Sequence, residues 1–69
     1  MWRDFMIEGF RVQVLVFDEP SEYGINDGCI SKLFAWKDGS DACWFDRGWV
    51  VKPCAEFLPI YERLVAQFN

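Results

Sequence analysis

The apolar residues of this chain follow two different periodicities, one after the other along the sequence. In the first part they alternate with polar residues, most clearly over residues 10–17, which is typical of a β-strand with one covered face. Over residues 54–68 they recur every three or four positions, which predicts an amphipathic helix. Strands followed by one helix indicate an α+β fold. We predict a three- to four-stranded antiparallel sheet, a meander, packed on one C-terminal amphipathic helix.

Glycine and proline divide the first part of the chain into strands. Besides residues 10–17, we predict strands at residues 30–37 and 42–46, and the short segments 2–7 and 49–51 are candidates for one further strand. Glu8-Gly9 is a turn or a bulge, and Asp38-Gly39 supplies the left-handed positions of a hairpin loop. Pro59 leaves two alternatives for the helix, because an interior proline removes a backbone hydrogen bond. Either a kinked helix begins near Pro53, or the main helix begins near Leu58 with Pro59 in its first turn.

One helix covers only one face of such a sheet. We expect the helix-facing side to carry Phe10, Val12, Val14, Val16, Ile30, Phe34 and Trp36. We expect the opposite side to carry Leu15, Phe17, Leu33, Ala35 and Phe45, covered by the N-terminal segment, a second copy or a target. A slip of one residue in a strand would exchange its two faces.

The chain is short for the number of aromatic rings that it holds. Its 69 residues predict a single small domain, residues 1–69, which buries roughly 60% of the surface that the unfolded chain exposes. Seven Phe, four Trp and two Tyr side chains would each bury about 150 to 250 Å². Some of the four tryptophans are therefore expected to be partly exposed. Large exposed apolar patches on soluble proteins mark contact sites.

Composition disfavours several functional classes. The net charge of −4 opposes direct nucleic-acid binding, which depends on Lys and Arg. The chain has no histidine, and its three cysteines lack CxxC spacing, so we predict no catalytic, cofactor-binding or metal-binding residues. No apolar run approaches the length of a membrane span, and a cytoplasmic location is expected. The sequence favours a protein that is not an enzyme.

Four acids and no base lie in residues 18–27, named here the acidic loop. A cluster of this kind is typical of a solvated loop, and it is also a candidate binding segment. The partner-binding residues that we predict are Asp18, Glu19, Glu22, Tyr23, Asp27, Trp36, Arg47 and Trp49. The structural interpretation of Asp46-Arg47-Gly48-Trp49 is a turn in which Arg47 pairs with an acid of residues 18–22 and Trp49 caps the core.

Two segments, FDEPSEYGINDGCISKL at residues 17–33 and DRGW at residues 46–49, carry a resemblance. They resemble a family of short uncharacterised proteins of bacteria and their phages or mobile elements, over residues 12–53. The resemblance implies no catalytic residue. In the family pattern a glycine and a basic residue often replace Asp27 and Cys29, so the loop of this chain is more acidic than the pattern.

Three hypotheses about function follow from these observations. The leading one is a small non-enzymatic protein-interaction module, encoded by a phage or mobile element, that binds a host or bacterial protein through the acidic loop and exposed aromatic residues. An inhibitor of a bacterial defence complex is one concrete form. The second is a structural homodimer formed through the outer sheet face or a strand edge. The third is a small-ligand binder or enzyme around Tyr23, Asp46, Arg47 and Trp49.

Overall fold

A five-stranded antiparallel sheet and one C-terminal helix form the fold. The computed structural model describes residues 1–69. The strands are β1 (Trp2–Ile7), β2 (Phe10–Val16), β3 (Ile30–Lys37), β4 (Ser40–Asp46) and β5 (Trp49–Val51), and the helix is α1 (Leu58–Phe68). The sheet order is β1-β2-β3-β4-β5, a meander. The α+β class is confirmed, but the predicted strand count of three to four was too low, because both short outer segments pair with their neighbours.

Two hairpins rest on left-handed turn residues. Glu8 and Gly9 have φ of 51° and 85°, and Asp38 and Gly39 have φ of 51° and 78°. Two-residue loops with positive φ at both positions match the right-handed twist of the flanking strands. The Asp38-Gly39 hairpin is confirmed, and Glu8-Gly9 is a turn.

The helix-facing side of the sheet holds the core. Val14 of β2, Leu33 of β3 and Phe45 of β4 are aligned across three strands and buried. The predicted sides were therefore right for β2 but wrong for β3 and β4. Leu33, Ala35 and Phe45 face the helix, and Phe34 and Trp36 face outward.

An irregularity in the pairing of β2 with β3 explains why the predicted sides of β3 were wrong. The register shifts between Leu15 and Val16, which pairs with Ile30. As a result both Ile30 and Leu33 are fully buried, although they are three positions apart and strict alternation would separate them. Alternation counted forward from Ile30 therefore assigns the rest of the strand to the wrong side.

The helix packs on the sheet through one face. α1 begins at Leu58 with Pro59 in its first turn, which confirms the second of the two predicted starts. Phe57, just before α1, is fully buried, and its ring meets that of Phe10 edge to face at 5.1 Å between centroids. The helix has eleven residues, and no helix of the structure has the length and apolar character needed to cross a membrane.

The long connection between β2 and β3 is folded against the rest of the domain. Its residue Ile25 is buried. Asn69, which follows α1, donates a side-chain hydrogen bond to the Ile25 carbonyl oxygen at 2.8 Å and accepts one from the Ile30 amide at 3.0 Å. The acidic loop is thus held at the end of the sheet where β3 begins.

Candidate protein-binding surface

The sheet face opposite α1 carries a row of aromatic rings. The Phe34 ring lies between those of Trp2 and Trp44, with centroid separations of 6.1 and 6.0 Å. Phe34 and Trp44 are cross-strand partners, and Trp2 reaches over β2 from the edge strand. We name Trp2, Phe34 and Trp44 the aromatic row. Because the only helix packs on the other face, no element of the chain covers this row.

Two of the three rings of the aromatic row are exposed to solvent. Trp2 and Trp44 are 52% and 41% exposed, which confirms that some tryptophans are partly exposed. Beside them a shallow groove of about 210 Å³ is lined by Phe34, Trp36, Asp41, Cys43 and Trp44. The groove offers a mainly apolar floor with one carboxylate at its rim.

Polar side chains flank the aromatic row on the same face. Arg11 donates two hydrogen bonds to the Asp4 carboxylate, from Nε at 3.1 Å and from a terminal nitrogen at 3.2 Å, and Gln13 donates a third at 3.3 Å. The Arg11 hydrogen bonds lower the pKa of Asp4. Lys32 and Asp46 form an ion pair of 3.7 Å nearer the acidic loop. These fixed groups border the apolar surface, as the polar rim of an interface does.

The carboxylates of the acidic loop have no basic partner. Asp18, Glu19, Glu22 and Asp27 are exposed, and the four ion pairs of the structure use other acids. The loop is nevertheless shaped, since the Ser21 hydroxyl oxygen accepts a hydrogen bond from the Tyr23 amide at 3.1 Å. It presents a compact negative charge.

The acidic loop adjoins the aromatic row at one corner of the sheet. Phe17 directly precedes the loop and is 47% exposed. Met1, next to Trp2 in the chain, exchanges backbone hydrogen bonds with Val16, next to Phe17. The start of β1, which carries Trp2, and the first acids of the loop therefore lie at the same corner of the sheet.

The structure brings together only part of the predicted site. Asp18, Glu19, Glu22, Tyr23 and Asp27 share the acidic loop, and Arg47 lies in the β4–β5 turn at the same end of the sheet. Trp36 lies near the opposite end of β3, on the outer face. Trp49 lies on the inner face, where its ring packs against Phe45 and Tyr61 at 5.0 and 5.6 Å. Trp49 thus caps the core, as the structural interpretation predicted.

The predicted ion pair of Arg47 is wrong. No carboxylate lies within 4.0 Å of its guanidinium, and Asp46 beside it pairs with Lys32. Arg47 has a φ of 60°, so its backbone forms the tight turn between β4 and β5. None of the four cavities is lined by Tyr23, Asp46, Arg47 or Trp49, so these residues do not surround a ligand-sized space.

Sequence reasoning missed the aromatic row as a unit. The predicted sides of the sheet place Phe34 toward the helix, and the sequence identifies Trp2 and Trp44 only as two of four tryptophans, some of which should be partly exposed. The signal that could have found the row is that Leu33 and Ala35 are two positions apart and therefore share one side of β3. Their small and branched side chains suit the crowded interior beneath one helix. Placing those two inward places Phe34 and Trp36 outward.

The titratable groups of the core include one buried thiol and no metal-binding cluster. No group of three or more His, Cys, Asp or Glu side chains is placed to hold a metal ion. Cys43 is 1% exposed, and burial raises the pKa of its thiol to about 12. At neutral pH it is therefore a protonated, packed thiol rather than a nucleophile.

Cys43 should make the stability of the domain depend on pH in alkaline solution. The unfolded chain loses this proton near pH 9.0 and the folded chain keeps it to about pH 12, so stability is full below pH 9 and falls above it. At about pH 10.5 the loss should reach roughly 2 kcal/mol, from about 1.4 kcal/mol per unit. Urea unfolding at several pH values measures it.

The control for this prediction is Cys43→Ala. The raised pKa of Tyr61 also makes the free energy of unfolding fall with pH, in both proteins. The difference between the two pH profiles therefore reports on Cys43. Parallel pH profiles for the two proteins would contradict the assignment.

The comparisons with known proteins give a family for this fold. A family model described as a domain of unknown function (DUF7678) matches residues 1–69. The chain belongs to this family. The match covers all the residues described here and extends beyond residues 12–53, on which the sequence resemblance rested. No curated protein and no solved structure matches this DUF7678 domain.

Proposed function

We propose that this DUF7678 domain is a small, non-enzymatic protein-interaction module that binds a basic protein surface through the aromatic row and the acidic loop. The observation that carries the proposal is the row of Trp2, Phe34 and Trp44 on the uncovered sheet face, in which both tryptophans are exposed and Phe34 is half-buried. Tryptophan and other aromatic side chains supply much of the binding energy at protein interfaces. A domain that left such rings bare would otherwise risk self-association.

The charge of the domain supports a basic partner. The net charge is −4, and the acids of the acidic loop form no ion pair within the chain. Unpaired carboxylates attract a cationic surface and orient the partner before contact, whereas the aromatic row contributes contact energy. The fit is to a protein surface with an apolar patch bordered by Lys or Arg.

The biological setting that we propose is the cytoplasm of a bacterium, with the gene carried by a phage or mobile element, as the sequence resemblance implies. Proteins that handle nucleic acids keep a basic groove for phosphate, and an acidic loop beside aromatic rings is complementary to it. Inhibition of a bacterial defence complex is the concrete form of this proposal.

Affinity capture from a bacterial lysate, with quantitative mass spectrometry, tests the proposal. The wild type is compared with Trp44→Ala, with a triple charge reversal of Asp18, Glu19 and Glu22 to Lys, and with Leu58→Ala. Leu58 is a matched control because it is 42% exposed, close to the 41% of Trp44, but lies on α1 at the opposite side of the sheet. The partner should be basic, retained by the wild type and Leu58→Ala, and lost from the other two variants.

Titration with the purified partner makes the test quantitative. Removal of an interface tryptophan costs about 2 kcal/mol or more, so Trp44→Ala should weaken binding roughly 30-fold. Thermal melts of the variants must first show that each is folded. Equal capture by Trp44→Ala and Leu58→Ala would reject the aromatic row, and equal capture after charge reversal would reject the loop.

A further inference from the structure

The outer edge of β1 has unpaired backbone groups. Met1 and Val16 exchange hydrogen bonds, and β1 and β2 are joined by a two-residue turn. Because bonded and non-bonded pairs alternate in an antiparallel ladder, Arg3, Phe5 and Ile7 bond to β2. The N–H and C=O groups of the alternate residues Trp2, Asp4 and Met6 therefore point away from the sheet. An edge of this kind is a template for another strand.

A groove of about 400 Å³ lies between this edge and the helix. Apolar side chains including Phe5, Ile7, Leu64 and Phe68 form its floor, and Arg3 and Arg63 lie at its rim. Arg63 pairs with Glu8, but Arg3 has no carboxylate within 4.0 Å. An incoming strand should therefore bring apolar side chains to the floor and a carboxylate to Arg3.

We propose that a second copy of this chain occupies the edge, with the two β1 strands antiparallel and Phe5 of one copy opposite Phe5 of the other. In such a pair, Trp2, Asp4 and Met6 of one copy must lie opposite Trp2, Asp4, Met6 or Glu8 of the other. Only then do the backbone groups that point away from each sheet meet, with side chains on the same side. A register that sets Asp4 opposite Asp4, or Asp4 opposite Glu8, places like charges face to face, which destabilises a sheet. The Phe5-centred register sets Asp4 opposite Met6 and avoids both clashes.

The same register supplies the missing partner of Arg3. It places Arg3 opposite Ile7 of the second copy, with Glu8 of that copy next in the chain. Glu8 lies on the helix side of the sheet, because it pairs with Arg63 of α1. Arg3 can thus join the Glu8–Arg63 pair, and two-fold symmetry repeats the contact. The two Phe5 rings meet at the axis and close the open sides of both grooves.

This dimer does not rest on the proposed function. It pairs the backbone edge of β1, the strand that carries Trp2 of the aromatic row, and it leaves Phe34 and Trp44 free. Sedimentation equilibrium of the chain should give twice its 8.1 kDa mass at high concentration, with reversible dissociation on dilution. A monomer at millimolar concentration would overturn the proposal.

Two substitutions at Met6 test the register itself. Met6 faces Asp4 of the second copy, and symmetry repeats the pair, so Met6→Asp should weaken the dimer by roughly 2- to 30-fold, and Met6→Lys should leave it as tight or tighter. Within one chain Met6 pairs with Arg11, so there the aspartate is the favourable residue and the lysine the unfavourable one. Loss of the dimer in Met6→Asp therefore does not result from a weakened fold. Equal effects of both substitutions would overturn the register.

Proline at the same position tests the backbone pairing. The Met6 amide points away from β2, so Met6→Pro costs no hydrogen bond within the chain but blocks an added strand. The dimer should be lost in Met6→Pro and kept in Met6→Thr, with similar circular dichroism spectra for both. A dimeric Met6→Pro would show that the contact lies elsewhere.

Discussion

Phe57→Ala is expected to destabilise the domain by about 3 to 5 kcal/mol, the range for loss of a buried phenylalanine. Phe57 is fully buried at the start of α1, and its ring packs edge to face on Phe10. A domain of this size has a total stability of about 3 to 10 kcal/mol. The substitution should therefore remove about a third or more of the free energy of unfolding and lower the urea midpoint by the same fraction. Urea unfolding followed by tryptophan fluorescence measures the change.

Leu58→Ala is the matched control for this prediction. Leu58 is the next residue, of similar apolar character, but it is 42% exposed. Its truncation should cost about 1 kcal/mol or less, because part of the side chain already contacts water. If the two variants unfolded at the same urea concentration, the packing of Phe57 would not be a main contribution to the contact between the helix and the sheet.

Gly24→Ala is expected to cost roughly 3 kcal/mol, the upper part of the range for overpacking. Gly24 is buried in the connection between β2 and β3, and an added Cβ would lie 2.2 Å from the Gly28 carbonyl oxygen. That oxygen accepts a hydrogen bond from the Ser21 amide and is therefore held in place. The loop must open to relieve the clash. The acidic loop should then lose its fixed shape, visible as faster amide hydrogen exchange.

Gly48→Ala provides the comparison for Gly24→Ala. An added Cβ at Gly48 meets nothing within 4 Å, and its φ is not in the left-handed region. The stability of Gly48→Ala should differ from that of the wild type by less than about 1 kcal/mol. A small increase is expected, because alanine restricts the unfolded chain more than glycine does. Equal melting temperatures for the two variants would contradict the packing described for the loop.

Periodicity and turn chemistry predict most of the fold. The two turns at Glu8-Gly9 and Asp38-Gly39 and the helix over residues 58–68 follow from local sequence preferences, which the tertiary structure does not oppose. The side assignment of β3 failed because the register shift at Leu15 and Val16 depends on pairing with a distant strand. No local sequence pattern indicates such a shift, and the shift exchanges the side of the sheet on which every following residue of the strand lies.

The candidate surface was predictable only in part. The acidity of residues 18–27 and the excess of tryptophan are visible in the sequence, and in the structure the four acids and two of the four tryptophans are exposed. The aromatic row was not predictable, because Trp2, Phe34 and Trp44 come from three strands and meet only through the register of the sheet. The failure at Arg47 has a similar origin, since ion pairing depends on distances between elements.

The central claim is that α1 covers one face of the sheet and leaves the aromatic row open to solvent. Nuclear magnetic resonance with a soluble gadolinium chelate tests it most directly, since ring protons near solvent relax faster. Signals can be assigned by replacing each tryptophan with phenylalanine in turn. We predict strong relaxation for the rings of Trp2 and Trp44 and weak relaxation for Trp49, which packs on Phe45 and Tyr61. Equal protection of all four rings in the monomer would contradict the account.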